Sequence, residues 1–76
     1  MTEDQRAREQ LGRLIAAERR KAGLSIADVA KRLDRRPAWV ARIESGSRRL
    51  DLVEYFALAD AIGCDGHALL RQCFRH

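Results

Sequence analysis

The sequence lacks the features that would indicate a membrane protein or a secreted protein. No stretch of its 76 residues approaches the roughly 18 unbroken apolar residues that a membrane-spanning helix requires. The N-terminal residues lack the basic-then-apolar order of a secretory signal. Two cysteines, Cys64 and Cys73, are too few for the disulfide framework of a small secreted protein. We therefore expect a soluble, cytoplasmic protein, no contact with a membrane, and free thiols.

Signals of catalysis and of cofactor binding are also missing. No Ser, His and acidic residue occur at an interpretable spacing, and the sequence has no glycine-rich phosphate loop. A chain of 76 residues is long enough for one core and too short to enclose a sizeable substrate cavity. We expect a single domain over residues 1–76, without enzymatic activity and without a cofactor.

Two Cys-x-x-His pairs, Cys64 with His67 and Cys73 with His76, are the nearest approach to a metal-binding pattern. If the segment after Asp65 is helical, the two cysteines lie about 13 Å apart at ~1.5 Å per residue. One tetrahedral ion cannot bridge that distance. The sequence therefore predicts no metal site.

Positive charge is concentrated in the middle of the chain. Residues 19–49 carry ten Lys or Arg against three acidic residues, a net charge of +7, whereas the remaining residues carry a net charge of −3. Such a concentration suits the neutralisation of DNA phosphates with release of counterions, and it predicts strongly salt-dependent binding. The alternative is an ordinary solvated helical surface.

Apolar periodicity and helix start and stop signals predict five helices and no strands, so the expected fold class is all-α. The first helix begins within the first few residues and stops at Gly23. Its inward face comprises Leu11, Leu14, Ile15, Glu18 and Ala22.

Two further helices are expected within about 51–74. The first of these opens with a capping box from Asp51 to Glu54 and stops at Gly63, and the second is capped by Asp65. Their inward residues are Leu52, Tyr55, Phe56, Leu58, Ala59, Ile62, Ala68, Leu69 and Cys73.

Residues 24–46 predict two short helices joined by a tight turn. Ser25 and Asp28 form a capping-box pattern ahead of a helix over about 26–33. Pro37 suits the first position of the next helix, which leaves Arg36 in the turn or at the cap. Val40, Ile43 and the terminating Gly46 complete the pattern. A pair of helices arranged in this way offers the second one to the major groove of DNA.

In order and spacing, the stretch from Leu11 to Leu70 resembles the lambda-repressor-like helix-turn-helix family, the Cro and xenobiotic-response-element type of bacterial and phage regulators. The matching residues are Leu11-Gly12, Ile15, Arg19, Gly23-Leu24-Ser25, Val29-Ala30, Leu33, Val40, Ile43, Glu44-Ser45-Gly46, Arg48-Arg49-Leu50-Asp51, Glu54-Tyr55 and Leu58-Ala59-Asp60-Ala61-Ile62-Gly63. The resemblance implies a compact five-helix DNA-binding domain, with the helix-turn-helix formed by helices 2 and 3, in a bacterial or phage cytoplasm at the nucleoid.

The resemblance also implies roles for individual residues. Arg19 and Glu44 match an ion pair that orients the third helix on the first, although they would otherwise be independent surface charges. Pro37, Ala38 and Arg42 match base-reading positions. Because Pro37 and Ala38 have no side-chain hydrogen bond to offer, readout of guanine falls to Arg42 and to Arg36 or Arg35 from the turn.

Trp39 has two interpretations: an outward ring that contacts a thymine methyl or a sugar, or a partly buried ring that closes the helix interface. Ile26 replaces the family's phosphate-binding glutamine. Phosphate contacts are therefore expected from Ser25 at a helix N-terminus and from Arg35, Arg48 and Arg49.

Two functions remain open. The first is a sequence-specific regulator of transcription, expected to be a repressor, that binds a palindromic operator in double-stranded DNA as a homodimer. Its dimer surface is Leu69, Leu70, Cys73 and Phe74. Core packing is the alternative role for those four side chains. The second function is a helical protein-interaction module, for instance an antitoxin that neutralises a partner protein.

Overall fold

The computed structural model describes residues 2–74, and five α-helices account for most of that range. The helices are α1 (Glu3–Lys21), α2 (Ile26–Arg32), α3 (Pro37–Glu44), α4 (Leu52–Ile62) and α5 (Gly66–Cys73). No strand occurs among the described residues, so the predicted all-α class is confirmed. No helix within residues 2–74 combines the length and the apolar composition that crossing a bilayer would require.

Local signals set the helix starts as predicted. At α2 the Asp28 N–H donates to the Ser25 hydroxyl at 3.0 Å, and the Ser25 N–H donates to the Asp28 carboxylate at 2.8 Å. At α4 Asp51 and Glu54 make the same reciprocal pair, at 2.7 and 3.1 Å. The carboxylate of Asp65 caps α5. Each cap satisfies backbone N–H groups that have no partner within the helix.

The tight turn between α2 and α3 depends on Asp34, whose φ of +55° lies in the left-handed region. Aspartate tolerates that region better than most residues with a side chain. The Arg35 N–H then donates to the Ala30 carbonyl at 2.9 Å, which closes the turn. Arg36 follows in extended conformation as the N-cap of α3, with Pro37 at the first helical position.

The core lies where all five helices meet. Its buried cluster is Ile15, Val29, Ala30, Val40, Ile43, Tyr55, Leu58, Ile62 and Leu69. Two predicted inward residues are wrong: Leu52 is 65% exposed, and Ala22 is exposed. Leu52 is the first residue of α4, and the core packs against the later turns of that helix. Ala22 is the C-cap of α1 and lies past its last turn.

Part of the predicted dimer surface, on α5, is wrong. Leu69 and Cys73 are buried within the chain itself, because α5 packs along α1 and α4 and turns these two residues inward. Leu70 is half-buried against the core, whereas Phe74 is 56% exposed. Only Phe74 therefore keeps most of its surface available to a second molecule.

Backbone packing fixes the position of α3 on α1. A Cβ atom at Gly12 would lie 2.6 Å from the Ile43 carbonyl oxygen and closer still to that of Glu44. At Gly46, where φ is +79°, a Cβ atom would lie 2.8 Å from the Glu9 Cα atom. Both approaches are shorter than any side chain permits, so glycine allows α1 to pass directly over the end of α3.

Candidate nucleic-acid interface

Arg19 and Glu44 join α1 to the end of α3. The Arg19 guanidinium donates from Nε to Glu44 Oε2 at 2.7 Å and from Nη2 to Oε1 at 3.1 Å, a bidentate pair. Its Nη1 donates to the Leu24 carbonyl at 2.9 Å. The hydrogen bond to Glu44 raises the pKa of Arg19 although burial opposes it. With side chains only 11% and 8% exposed, the pair links α1, α3 and the loop before α2.

The outward side of α3 is cationic and open. Arg36, Pro37, Ala38 and Arg42 are all exposed, whereas Val40 and Ile43 anchor the opposite side of the helix in the core. Neither Arg36 nor Arg42 forms a salt bridge within residues 2–74. Their donors are therefore directed to solvent, where a ligand has access to them. One shallow surface depression is lined by Asp34, Arg35, Arg36, Ala38, Trp39 and Arg42.

Trp39 lies at the edge of this surface and is half-buried against the core, as the second of its two interpretations expected. Its indole N–H is buried and has no acceptor among the described residues. The guanidinium carbons of Arg35 and Arg48 lie 4.7 and 5.3 Å from the ring centroid. These distances permit cation–π attraction, so the ring supports two of the predicted phosphate-binding arginines.

The predicted phosphate-binding arginines have acidic neighbours in the structure. Arg35 Nη2 lies 3.6 Å from Glu54 Oε2, and Arg48 Nη1 lies 3.5 Å from Glu54 Oε1. Arg48 Nη1 also donates to the Arg49 carbonyl at 2.6 Å. The Arg49 side chain is 82% exposed and lies 3.5 Å from Asp4. Arg49 is therefore the most accessible of the three.

Ser25 is exposed at the N-cap of α2, where its hydroxyl accepts the Asp28 N–H. The Ser25 backbone N–H donates to the Asp28 carboxylate, and this hydrogen bond lowers the pKa of Asp28. An ionised carboxylate therefore stands beside the N-terminus of α2. A phosphate that approaches Ser25 meets that negative charge as well as the backbone donors.

Three residues that shape the surface were not identified from the sequence as functional. From the sequence, Gly12 matches the family pattern without an implied role, Asp34 contributes only its charge, and Glu54 is a helix cap that also matches the family pattern. A glycine inside a helix is a detectable signal, because it lowers helix propensity by about 1 kcal/mol and needs a packing reason. No local signal indicates that Glu54 meets Arg35 and Arg48, since that contact is tertiary.

The cysteines lie apart from this surface. Cys73 is buried, with its Sγ 3.7 Å from the Ala7 carbonyl oxygen, and Cys64 is half-buried. Burial raises the pKa of both thiols. His76, the partner of Cys73 in one Cys-x-x-His pair, lies outside the described residues. Within residues 2–74, no group of three or more Cys, His, Asp or Glu is placed to hold a metal ion.

Comparison with known proteins agrees with the geometry. A family model described as a helix-turn-helix domain matches residues 10–72. A solved structure described as an XRE-family like protein from Pseudomonas syringae pv. tomato str. DC3000 superposes with a TM-score of 0.80 at 36% sequence identity. That match covers 90% of this chain and 84% of the other.

The chain belongs to the XRE-type, lambda-repressor-like helix-turn-helix domains. Such domains are DNA-binding regulators and typically have no enzymatic activity. A comparison with curated proteins found no match. In this XRE-type domain α2 and α3 form the helix-turn-helix, and α1, α4 and α5 support it.

Proposed function

We propose that this XRE-type domain binds double-stranded DNA sequence-specifically, with α3 in the major groove, and represses transcription. The observation that carries the proposal is the outward side of α3, where Arg36 and Arg42 are exposed and form no salt bridge within the described part of the chain. Repression is the simplest outcome, because a protein that occupies a promoter excludes polymerase without any further contact.

Within this proposal the exposed residues divide into two roles. Arg42 and Arg36 read base edges, with guanine O6 and N7 as the preferred acceptors of a guanidinium. Ala38 and Pro37 add apolar contacts, and the half-buried Trp39 contributes only its exposed edge. Arg35, Arg48, Arg49 and Ser25 contact phosphates and set the register. The Arg19–Glu44 pair holds α3 at the angle that these contacts need.

We further propose that two copies bind a palindromic operator. A helix-turn-helix dimer places its two recognition helices about one helical turn apart, ~34 Å, and the operator repeats that symmetry. The contact between copies involves Phe74 and the exposed edge of Leu70, since Leu69 and Cys73 are used by the chain's own core.

Selection of bound sequences from a random duplex pool tests this function. We expect a palindrome, because a symmetric dimer reads the same bases twice. In binding assays on the selected duplex, Arg42→Ala should relax discrimination at one base position in each half-site, at a cost of about 1 to 3 kcal/mol. Arg49→Ala should instead weaken selected and random duplexes alike, because a phosphate contact carries no sequence information.

Two outcomes would contradict the proposal. Equal effects of Arg42→Ala and Arg49→Ala on discrimination would show that α3 does not read bases. Failure to enrich any sequence, with binding that salt abolishes equally for every duplex, would instead favour the protein-interaction module. A pull-down against the chain's own host lysate would then be the next measurement.

A further inference from the structure

Arg35, Arg48, Trp39 and Glu54 form one cluster at the edge of the DNA-binding surface, and we call these four residues the Trp39 cluster. The two guanidinium groups come from different segments, the turn before α3 and the segment after it. Both lie near the Trp39 ring and both pair with Glu54. Arg35 and Trp39 also line the surface depression that contains Ala38 and Arg42. The cluster is therefore continuous with the proposed base-reading surface.

Glu54 is held in place independently of the arginines. Its Oε1 accepts the Asp51 N–H at 3.1 Å, and its own N–H donates to Asp51 at 2.7 Å. The side chain is 19% exposed. The arginines are in turn supported by the Trp39 ring, and Arg48 is also held by the Arg49 carbonyl. Neither guanidinium depends on Glu54 alone for its position.

The distances to Glu54 are longer than those of tight ion pairs. Charge-assisted hydrogen bonds between a guanidinium and a carboxylate have lengths of about 2.7 to 2.9 Å. In the Trp39 cluster the separations are 3.5 and 3.6 Å. One carboxylate thus interacts loosely with two cations, and the pair of arginines keeps most of its donors for another anion.

Building on the proposed function, we propose that Glu54 competes with a DNA phosphate for the guanidinium groups of Arg35 and Arg48. Glu54 acts as an internal competitor that lowers the affinity for duplex DNA of any sequence. On binding, the phosphate contacts the exposed donors of the two guanidinium groups, while the carboxylate stays in place because the capping box anchors it. The net charge that this cluster offers to DNA is therefore one unit rather than two.

The test is Glu54→Gln, measured with a random-sequence duplex over a range of salt concentrations. Glutamine serves the capping box as glutamate does, so α4 keeps its N-terminal cap while the charge is removed. We expect about three- to tenfold tighter binding at moderate salt, from the loss of one repulsive charge near a phosphate. The slope of log K against log salt should steepen by up to about 0.9, because the cluster then offers two unit charges to DNA instead of one.

Asp60→Asn is the matched control. Asp60 is exposed on the same helix, forms no salt bridge within residues 2–74, and its substitution changes the net charge equally. Thermal melts of both variants verify the fold. Equal gains for the two variants, or weaker binding by Glu54→Gln, would overturn the role of Glu54 and leave the proposed function intact. Absence of salt-dependent duplex binding by the unmodified protein would overturn both.

Discussion

Arg19 and Glu44 are the clearest example of single residues that position the DNA-binding surface. Their bidentate contact lies almost out of solvent, at the point where α1 meets the end of α3. A buried ion pair contributes little net stability, since desolvation of the two charges offsets their attraction. Removal of one partner lowers the free energy of unfolding, because the other partner stays charged and buried. The pair therefore specifies an orientation more than it stabilises the fold.

Glu44→Ala should lower the free energy of unfolding by about 3 kcal/mol, because the Arg19 guanidinium is left without its counter-charge. Urea denaturation measures this change. Glu18→Ala is the control, since Glu18 pairs with the exposed Lys21 at 2.8 Å and should cost under about 1 kcal/mol. Similar losses for both variants would mean that the Arg19–Glu44 pair is an ordinary surface pair.

In the proposed complex, base recognition depends on few donors. Pro37 and Ala38 occupy the first two positions of α3 and have no polar side-chain atoms, which leaves Arg42 and the N-cap Arg36 to form hydrogen bonds. Two guanidinium groups in each half-site of the proposed operator would specify few base pairs directly. We therefore expect the remaining selectivity to come from the shape and deformability of the DNA.

Among the helices, the crossing of α1 over α3 decides where the recognition surface lies. The two helices approach so closely at Gly12 that backbone oxygens of Ile43 and Glu44 occupy the space of a side chain. A hydrogen bond also joins α4 to α5: the Tyr55 hydroxyl donates to the Gly66 carbonyl at 2.7 Å. Burial raises the pKa of Tyr55 to about 12, so this donor keeps its proton.

Gly12→Ala should destabilise the protein by about 2 kcal/mol, because separation of the helices outweighs the gain of about 1 kcal/mol in helix propensity. The midpoint of urea unfolding measures the net change in stability. Gly63→Ala is the comparison: its φ is +87°, but a Cβ atom there meets nothing within 4 Å, so only backbone strain of about 1 kcal/mol applies. An increase in stability for Gly12→Ala would contradict the close approach.

The starts and ends of the helices were predictable from the sequence because their causes are local. The capping boxes at Ser25 and Asp51 act over four residues, Pro37 fixes its own φ and disfavours helical angles at Arg36, and Gly46 takes a φ of +79° that most residues avoid. Burial was less predictable: Leu52 has the same apolar character as Leu58, yet only Leu58 faces a neighbouring helix. Local patterns cannot distinguish them, since the neighbour belongs to a distant segment.

For the whole molecule, size suggests one copy per half-site. The longest dimension of the chain is 32 Å, close to the helical repeat of about 34 Å that separates two half-sites. The domain has one helix-turn-helix, so in the proposed palindromic complex a second copy would cover the second half-site. Phe74, exposed at the end of α5 beside the start of α1, borders a groove lined by Glu3, Asp4, Arg6, Ala7, Gln10 and Cys73. An exposed aromatic side chain at such a groove is the expected centre of a contact between copies.

Phe74→Glu should convert a dimer to a monomer in sedimentation equilibrium and should weaken operator binding, while leaving binding to an isolated half-site unchanged. The physical reason is that the introduced carboxylate would be desolvated at the contact, in a groove whose lining includes the acidic residues Glu3 and Asp4 as well as Arg6. Val53→Glu is the control, because Val53 is 80% exposed on α4. Dissociation caused by Val53→Glu instead would place the contact between copies on α4.

The sequence by itself determined the helix boundaries, the all-α class, the concentration of positive charge and the family, because these depend on residue order, composition and short-range caps. Only the tertiary structure decided which side chains are accessible. It placed Leu69 and Cys73 in the core, turned Trp39 inward beneath two arginines, and brought Glu54 to Arg35 and Arg48. Those outcomes depend on contacts between segments far apart in the chain, and the distance between two such side chains follows only from how the helices pack.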